Sequence, residues 1–113
     1  MLKFTVHAQN LRMPERTLLT PSDLQFLIHN NLFVRIGLDP KKKKKCYYMV
    51  YSKLDNDFYI FVVDEVTNDV ITVLYFDYFR RFMVDVTLKE PLRDKVLNFY
   101  NPQKEITKDP KDA

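Results

Sequence analysis

Three β-rich apolar runs, separated by short polar connections, constrain the fold of this chain more than any other feature. The runs are Cys46 to Lys53, Phe58 to Val63 and Val70 to Phe76. The connections are rich in aspartate and asparagine, which favour turns, and they are too short for the crossover that parallel neighbours need. The pattern therefore predicts an antiparallel sheet of consecutive strands that begins near Cys46 and ends near Phe76.

The middle run is apolar on both faces, because every residue from Phe58 to Val63 is aliphatic or aromatic. A strand of this kind is covered on both sides in the folded protein. We expect helices of the same chain to cover one face of the sheet. On the other face we expect a partner chain, so the aromatic sheet face predicts a homodimer.

A helix is predicted to begin at Thr20. This residue suits the N-cap, Pro21 suits the first helical position, and Asp23 lies near the positive end of the helix dipole. Asn30 and Asn31 tolerate the left-handed backbone conformation in which many helices end. The signals at its two ends make this helix the best marked one in the chain.

The rest of the chain completes an α+β fold, with N-terminal helices packed on a three- to five-stranded antiparallel sheet. Between His7 and Met13 only a short or kinked helix is expected, because Pro14 lacks an amide hydrogen and clashes with the preceding turn. Weaker patterns predict a short strand at Lys3 to Val6, a strand at Leu32 to Ile36, a strand at Phe82 to Val86, and a C-terminal helix opened by Pro91. We expect one domain over residues 1–100 and a flexible tail over residues 101–113.

Composition excludes several classes of function. The chain has 113 residues, enough for one domain. Its only glycine is Gly37, whereas phosphate-cradling loops need several glycines, so a P-loop or dinucleotide-binding fold is excluded. Two histidines and one cysteine without ligand spacing argue against a metal site, and no cofactor is expected. The single cysteine and the lack of a long apolar run predict a cytoplasmic protein without a membrane segment.

Positive charge is concentrated in the first half of the chain, although the net charge is only +3. Five consecutive lysines, Lys41 to Lys45, precede Tyr47. Lysines beside an aromatic residue are typical of a surface that binds phosphates and stacks on bases, as in RNA-binding proteins. The alternative is a solvated hairpin loop whose lysines prevent unwanted strand pairing.

The N-terminal stretch contains His7-Ala8, Arg12 and Glu15-Arg16, followed by the helix that begins at Thr20. It resembles the start of a family of small bacterial proteins of unassigned function, whose helix leads into a three- or four-stranded antiparallel sheet. That family is similar in architecture to the RelE/ParE/BrnT-like toxins. The resemblance covers residues 4–77.

The resemblance implies a toxin-like protein that binds RNA or the ribosome, with ribonuclease activity and an antitoxin-like partner. Such an enzyme needs an acid–base pair and cations that neutralise phosphate charge. The implied catalytic residues are His7, Arg12, Glu15 and Arg16. The implied phosphate contacts are Arg35, Arg80 and Arg81, beside the lysine run. This hypothesis predicts that Arg12, Arg16 and Arg35 converge in one cleft next to those lysines.

Simpler interpretations remain open for the same residues. An Arg–Glu pair at this spacing also serves as a structural ion pair that ties a helix to a sheet. A single histidine near the start of a chain is often only a half-buried polar residue. The alternative function is accordingly a non-enzymatic, homodimeric interaction module.

Overall fold

The computed structural model describes residues 1–98. Within that range the chain forms a five-stranded sheet with the strand order β1-β5-β4-β3-β2. The strands are β1 (Lys3–Phe4), β2 (Val34–Leu38), β3 (Lys45–Ser52), β4 (Asp57–Asp64) and β5 (Asp69–Tyr75). The predicted α+β fold is confirmed. The predicted tail at 101–113 lies outside the described residues.

The sheet is mixed rather than wholly antiparallel. Strands β2 to β5 form the predicted antiparallel meander, but β1 pairs with β5 in the parallel direction. The rule that short connections give antiparallel neighbours does not apply to β1, because most of the domain separates it from β5 in sequence. The tight turns of the meander place Asn56 and Asn68 at φ 55° and 64°, a conformation that asparagine tolerates.

The first helix continues past Pro14. It is wound as a π-helix over Ala8–Arg12 and as an α-helix over Met13–Arg16. Pro14 is the second residue of the α-helical part, directly after the π-helical turn. The winding changes from π-helical to α-helical just before Pro14, and the helix continues on both sides of this residue.

The second helix, Pro21–His29, has the predicted N-terminal cap. Thr20 Oγ1 accepts a hydrogen bond from the Asp23 amide at 3.2 Å, and the Asp23 carboxylate accepts one from the Thr20 amide at 2.9 Å. Two otherwise unsatisfied amide groups are paired in this way. Asn31 follows the helix at φ 57°.

The segment Phe82 to Val86, predicted as a strand, is helical. It belongs to a third helix made of Phe76–Tyr78, Phe79–Met83 and Val84–Thr87, of which the middle part is π-helical. A short apolar run does not distinguish a strand from a buried helix by its pattern alone. Residues 92–98 form a fourth helix, which confirms the helix predicted after Pro91. No helix in the described part of the chain combines the length and apolarity that a membrane span requires.

Both faces of the sheet are covered by the chain itself. The first and second helices pack on one face over residues such as Phe61 and Val73. The third and fourth helices pack on the other face over residues such as Phe58 and Ile60. The expectation that a partner chain covers this aromatic face is therefore wrong, because residues 76–98 fold back over it.

Gly37 shapes the outer strand β2. The register between β2 and β3 shifts between Arg35 and Gly37, and Gly37 has φ +148°, where side-chain-bearing residues are strained. A Cβ at this position would lie 2.9 Å from the δ carbons of Leu92 in the fourth helix. The glycine thus lets the strand bulge while the fourth helix packs against it.

Candidate functional site

Four of the five lysines lie in the loop between β2 and β3, and Lys45 is the first residue of β3; the five are here called the lysine loop (Lys41–Lys45). Its backbone is held by Asp39, whose Oδ1 accepts hydrogen bonds from the amides of Lys41 at 2.8 Å and Lys42 at 3.1 Å. The Lys45 amide donates back to the Lys42 carbonyl oxygen at 2.8 Å. The side chains of Lys41 to Lys44 are exposed, so the loop presents cations from a fixed backbone.

Asp39 is itself anchored in the core by Tyr47, whose hydroxyl donates to Asp39 Oδ2 at 2.8 Å. Burial alone would raise the pKa of Asp39, but the hydrogen bonds from Lys41, Tyr47 and Lys42 hold that pKa below its usual value. Tyr47 is only 3% exposed, and its ring centroid lies 5.0 Å from that of Phe79. The prediction that Tyr47 stacks on a base is therefore wrong: this ring belongs to the core.

Arg35, the predicted phosphate contact on β2, is bound to a carboxylate. Its Nε donates to Glu65 Oε2 at 2.9 Å and its Nη2 donates to Glu65 Oε1 at 2.6 Å. Tyr48 also donates to Glu65 Oε2, at 2.6 Å. The Arg35 guanidinium, helped by Tyr48 and opposed by partial burial, lowers the pKa of Glu65 to about 2. Nearby, burial raises the pKa of the Cys46 thiol to about 11, so this cysteine is not a ready nucleophile.

The pH dependence of stability should report on this pair. The pKa of Glu65 is about 2 in the folded protein, against an ordinary value of 4.5. Its stabilising contribution is therefore fully present above about pH 4.5 and is lost as the pH falls towards 2. We expect the melting temperature of wild type to fall more steeply over this interval than that of Glu65→Gln, measured by circular dichroism. Parallel curves would contradict this role, and Asp85→Asn provides a control for the loss of one acidic charge.

Four predicted catalytic residues meet at the first helix, and together they are called the N-terminal cluster. Arg12 Nε donates to His7 Nε2 at 3.1 Å, and Arg12 Nη1 lies 3.0 Å from Glu15 Oε1. Arg16 Nε lies 3.4 Å from the same Glu15 oxygen. The π-helical turn brings His7 and Arg12 together, because it contains more residues per turn than an α-helix and so aligns residues five apart.

Arg16 also has a structural partner on the sheet. Its Nη1 donates to the Val73 carbonyl oxygen at 2.6 Å, and its guanidinium carbon lies 5.9 Å from the centroid of the Tyr75 ring. β1 pairs only with Asp69 and Val70 of β5 and does not reach Val73. The Arg16 side chain therefore takes the place of a neighbouring strand at the Val73 carbonyl oxygen. Arg12 and Arg16 share the carboxylate of Glu15 within the first helix, and the hydrogen bond from Arg16 to Val73 links that helix to the sheet.

The predicted cleft of Arg12, Arg16 and Arg35 does not form. Arg35 lies on β2, whereas Arg16 contacts Val73 on β5, and β3 and β4 separate the two strands. Three strand spacings amount to about 14 Å. The lysine loop lies at the end of the sheet where Lys45 pairs with Asp64 and Asp64 pairs with Asp69, whereas Val73 lies four residues further along β5.

Arg80 and Arg81 lie in the π-helical part of the third helix. Arg80 is half-buried and Arg81 is exposed. Because Phe79 packs against Tyr47, this turn sits on the sheet face opposite the N-terminal cluster. The predicted phosphate contacts therefore lie on separate elements. Among them, the lysine loop presents a run of exposed cations.

Two features were not anticipated from the sequence. Asp55, which lies in the turn between β3 and β4, accepts hydrogen bonds from the Thr17 hydroxyl at 2.6 Å and the Ser52 hydroxyl at 2.7 Å. It also accepts one from the Leu18 amide at 3.0 Å, so it joins the first helix to the β3–β4 turn. The pKa of Asp55 is lowered, because these bonds outweigh the opposing effect of burial.

The second feature is an apolar groove of about 570 Å³ between the second helix and the ends of β3 and β4. Its lining is Leu19, Asp23, Phe26, Leu27, Leu32, Phe33, Val34, Met49, Tyr51, Lys53, Leu54 and Phe58. Phe26 of the second helix, which lies outside the face formed by Leu24, Leu27 and Ile28, is a sequence signal for it. The residues that complete the groove are brought in by tertiary folding.

No known protein family matches this chain, and neither a curated protein nor a solved structure is significantly similar to it.

Proposed function

We propose that this protein binds RNA through contacts between the phosphates and the lysine loop. One observation carries the proposal: the five lysines are contiguous, and among residues 1–98 none of them forms an ion pair. Lysines without carboxylate partners can replace the counterions of a phosphate backbone, and the release of those counterions drives binding.

The neighbouring acidic groups support this proposal, because they are already occupied. Asp39 is buried beneath the loop and accepts hydrogen bonds from the loop amides and from Tyr47. Glu65 is held by the bidentate contact with Arg35. Both carboxylates thereby shape the base of the loop, and the ammonium groups of Lys41 to Lys44 extend away from it into solvent.

Binding through this loop should be insensitive to RNA sequence. Tyr47 is buried, and Tyr48 stacks on Phe33 with a centroid distance of 4.9 Å while its hydroxyl contacts Glu65. Neither aromatic ring is therefore offered to a base. Phosphate contacts fix position without reading sequence, so salt concentration should control the affinity.

A second candidate function, cleavage of RNA, is supported by the contact between His7 and Arg12. An imidazole beside a guanidinium and a carboxylate offers both proton transfer and charge neutralisation. However, Glu15 neutralises Arg12 and Arg16, and the cluster lies across the sheet from the lysine loop. The binding function is therefore the better supported of the two.

The salt dependence of binding tests the proposal. We compare wild type with Lys43→Gln/Lys44→Gln by fluorescence anisotropy, using a labelled twelve-nucleotide poly(U). A single-strand phosphate contact contributes about 0.7 to the slope of log K against log salt, so losing two should reduce the slope by about 1.4. The control is Lys3→Gln/Lys89→Gln, which removes the same charge from two other exposed positions and should change the slope by less than half as much.

Equal slopes for the two double variants would overturn the proposal, because binding would then depend on net charge and not on the loop. The same samples also test the second candidate. If poly(U) stays intact after prolonged incubation with wild type, RNA cleavage is ruled out as a function. Cleavage that is abolished by Arg16→Ala, with the anisotropy change retained, would support it.

A further inference from the structure

The apolar groove carries an inference that is independent of RNA binding. We propose that it binds an amphipathic carboxylate, a small molecule with an apolar chain and one acidic head group, and that Lys53 receives the carboxylate. The groove volume of about 570 Å³ falls in the range of small-molecule sites, about 300–1,000 Å³.

The groove exists because β2 is shorter than β3. The pairing of the two strands begins at Val34 with Met49, so the last residues of β3 extend beyond the start of β2. The second helix stands beside this gap but does not fill it. Met49 and Phe58 form a buried floor, while Phe26 on the rim is 61% exposed. An apolar chain lying in this gap would remove that exposed aromatic surface from water.

The charged residues of the groove indicate which head group the ligand carries. Two charged residues line the groove, Asp23 and Lys53. The Asp23 carboxylate is engaged in the helix cap, where its Oδ2 accepts hydrogen bonds from the Thr20 amide at 2.9 Å and the Thr20 hydroxyl at 3.0 Å. Lys53, by contrast, makes no ion pair with any carboxylate of residues 1–98. An exposed ammonium at the edge of an apolar groove favours a carboxylate on its occupant.

Methionine methyl NMR tests the site directly. The chain has four methionines, Met1, Met13, Met49 and Met83, and of the three internal ones only Met49 lines the groove. We expect octanoate to shift the Met49 methyl signal saturably and to leave Met13 and Met83 in place. Octanol, which has the same chain length without the charge, should bind about tenfold more weakly, because it lacks the charge-assisted contact.

Two substitutions at exposed positions refine the test. Lys53→Met should abolish the preference for octanoate over octanol while both still shift Met49. Phe26→Asp should weaken octanoate binding at least tenfold. Val66→Asp is its control, since Val66 is 70% exposed and lies outside the groove; it should leave octanoate binding unchanged.

Three results would overturn the proposal. They are equal affinity of wild type for octanoate and octanol, no movement of the Met49 signal with either, and a Met49 signal that shifts with protein concentration in the absence of ligand. The last would show that a second copy of the chain occupies the groove. Lys43→Gln/Lys44→Gln should bind octanoate like wild type, so failure of the RNA proposal and failure of this one are distinguishable.

Discussion

Replacing Asp55 with alanine is expected to lower the free energy of unfolding by about 3 kcal/mol, because buried donors lose their acceptor. Ser52 is completely buried and Thr17 nearly so, and both hydroxyls donate to Asp55. The Leu18 amide donates to it as well. Without the carboxylate, the link between the first helix and the β3–β4 turn is lost together with these bonds.

Urea denaturation followed by circular dichroism measures this effect. Asp85→Ala is the matched control, since Asp85 is exposed on the third helix and pairs with Arg93 at 3.3 Å. An exposed pair of this kind contributes about 0.2–1 kcal/mol. Asp55→Asn keeps one acceptor oxygen, so its free energy of unfolding should lie between those of Asp55→Ala and Asp85→Ala. If Asp55→Ala lowers the free energy of unfolding by no more than Asp85→Ala does, the Asp55 carboxylate does not stabilise the turn.

Replacing Asp39 with alanine should have two effects. It should lower the free energy of unfolding by about 2 kcal/mol, since the Tyr47 hydroxyl and the amides of Lys41 and Lys42 lose their acceptor. It should also weaken RNA binding, although the variant is more positive than wild type. Without Asp39 the loop backbone is less ordered, so the lysines lose more conformational entropy when they bind RNA.

A double-mutant cycle with Tyr47→Phe isolates the buried hydrogen bond. This substitution keeps the ring against Phe79 and removes the hydroxyl. Because each single variant breaks the same contact, the double variant should be less destabilised than the sum of the two single variants. Additive energies would argue against the contact. Tighter RNA binding by Asp39→Ala would show that total charge, not the organisation of the loop, determines the affinity.

Local signals in the sequence were sufficient for much of the fold. The cap formed by Thr20 and Asp23 depends on residues three apart, and the turns at Asn56 and Asn68 depend on the conformational tolerance of single residues. The parallel pairing of β1 and the helical state of residues 82–86 depend instead on contacts made across the whole domain, which a local pattern does not contain.

The candidate site was predictable to a smaller extent, for the same reason. The exposure of the lysines follows from five consecutive charges, but the burial of Tyr47 does not. Neighbouring strand residues face opposite sides, and Tyr47 is on the side where Phe79 of the third helix packs. The partner of Arg35 is Glu65, thirty residues away. The convergence of His7 and Arg12 required a π-helical turn, which spacing rules for an ordinary helix do not include.

The two edges of the sheet affect how readily this protein pairs with strands of other molecules at high concentration. On one side Arg16 occupies the Val73 carbonyl oxygen beyond the end of β1. On the other, the bulge at Gly37 interrupts β2, and Lys95 Nζ donates to the Arg35 carbonyl oxygen at 3.3 Å. A strand from another molecule would have to displace these contacts before it could pair. These contacts therefore protect part of both edges of a sheet rich in aromatic and β-branched residues from pairing with a foreign strand.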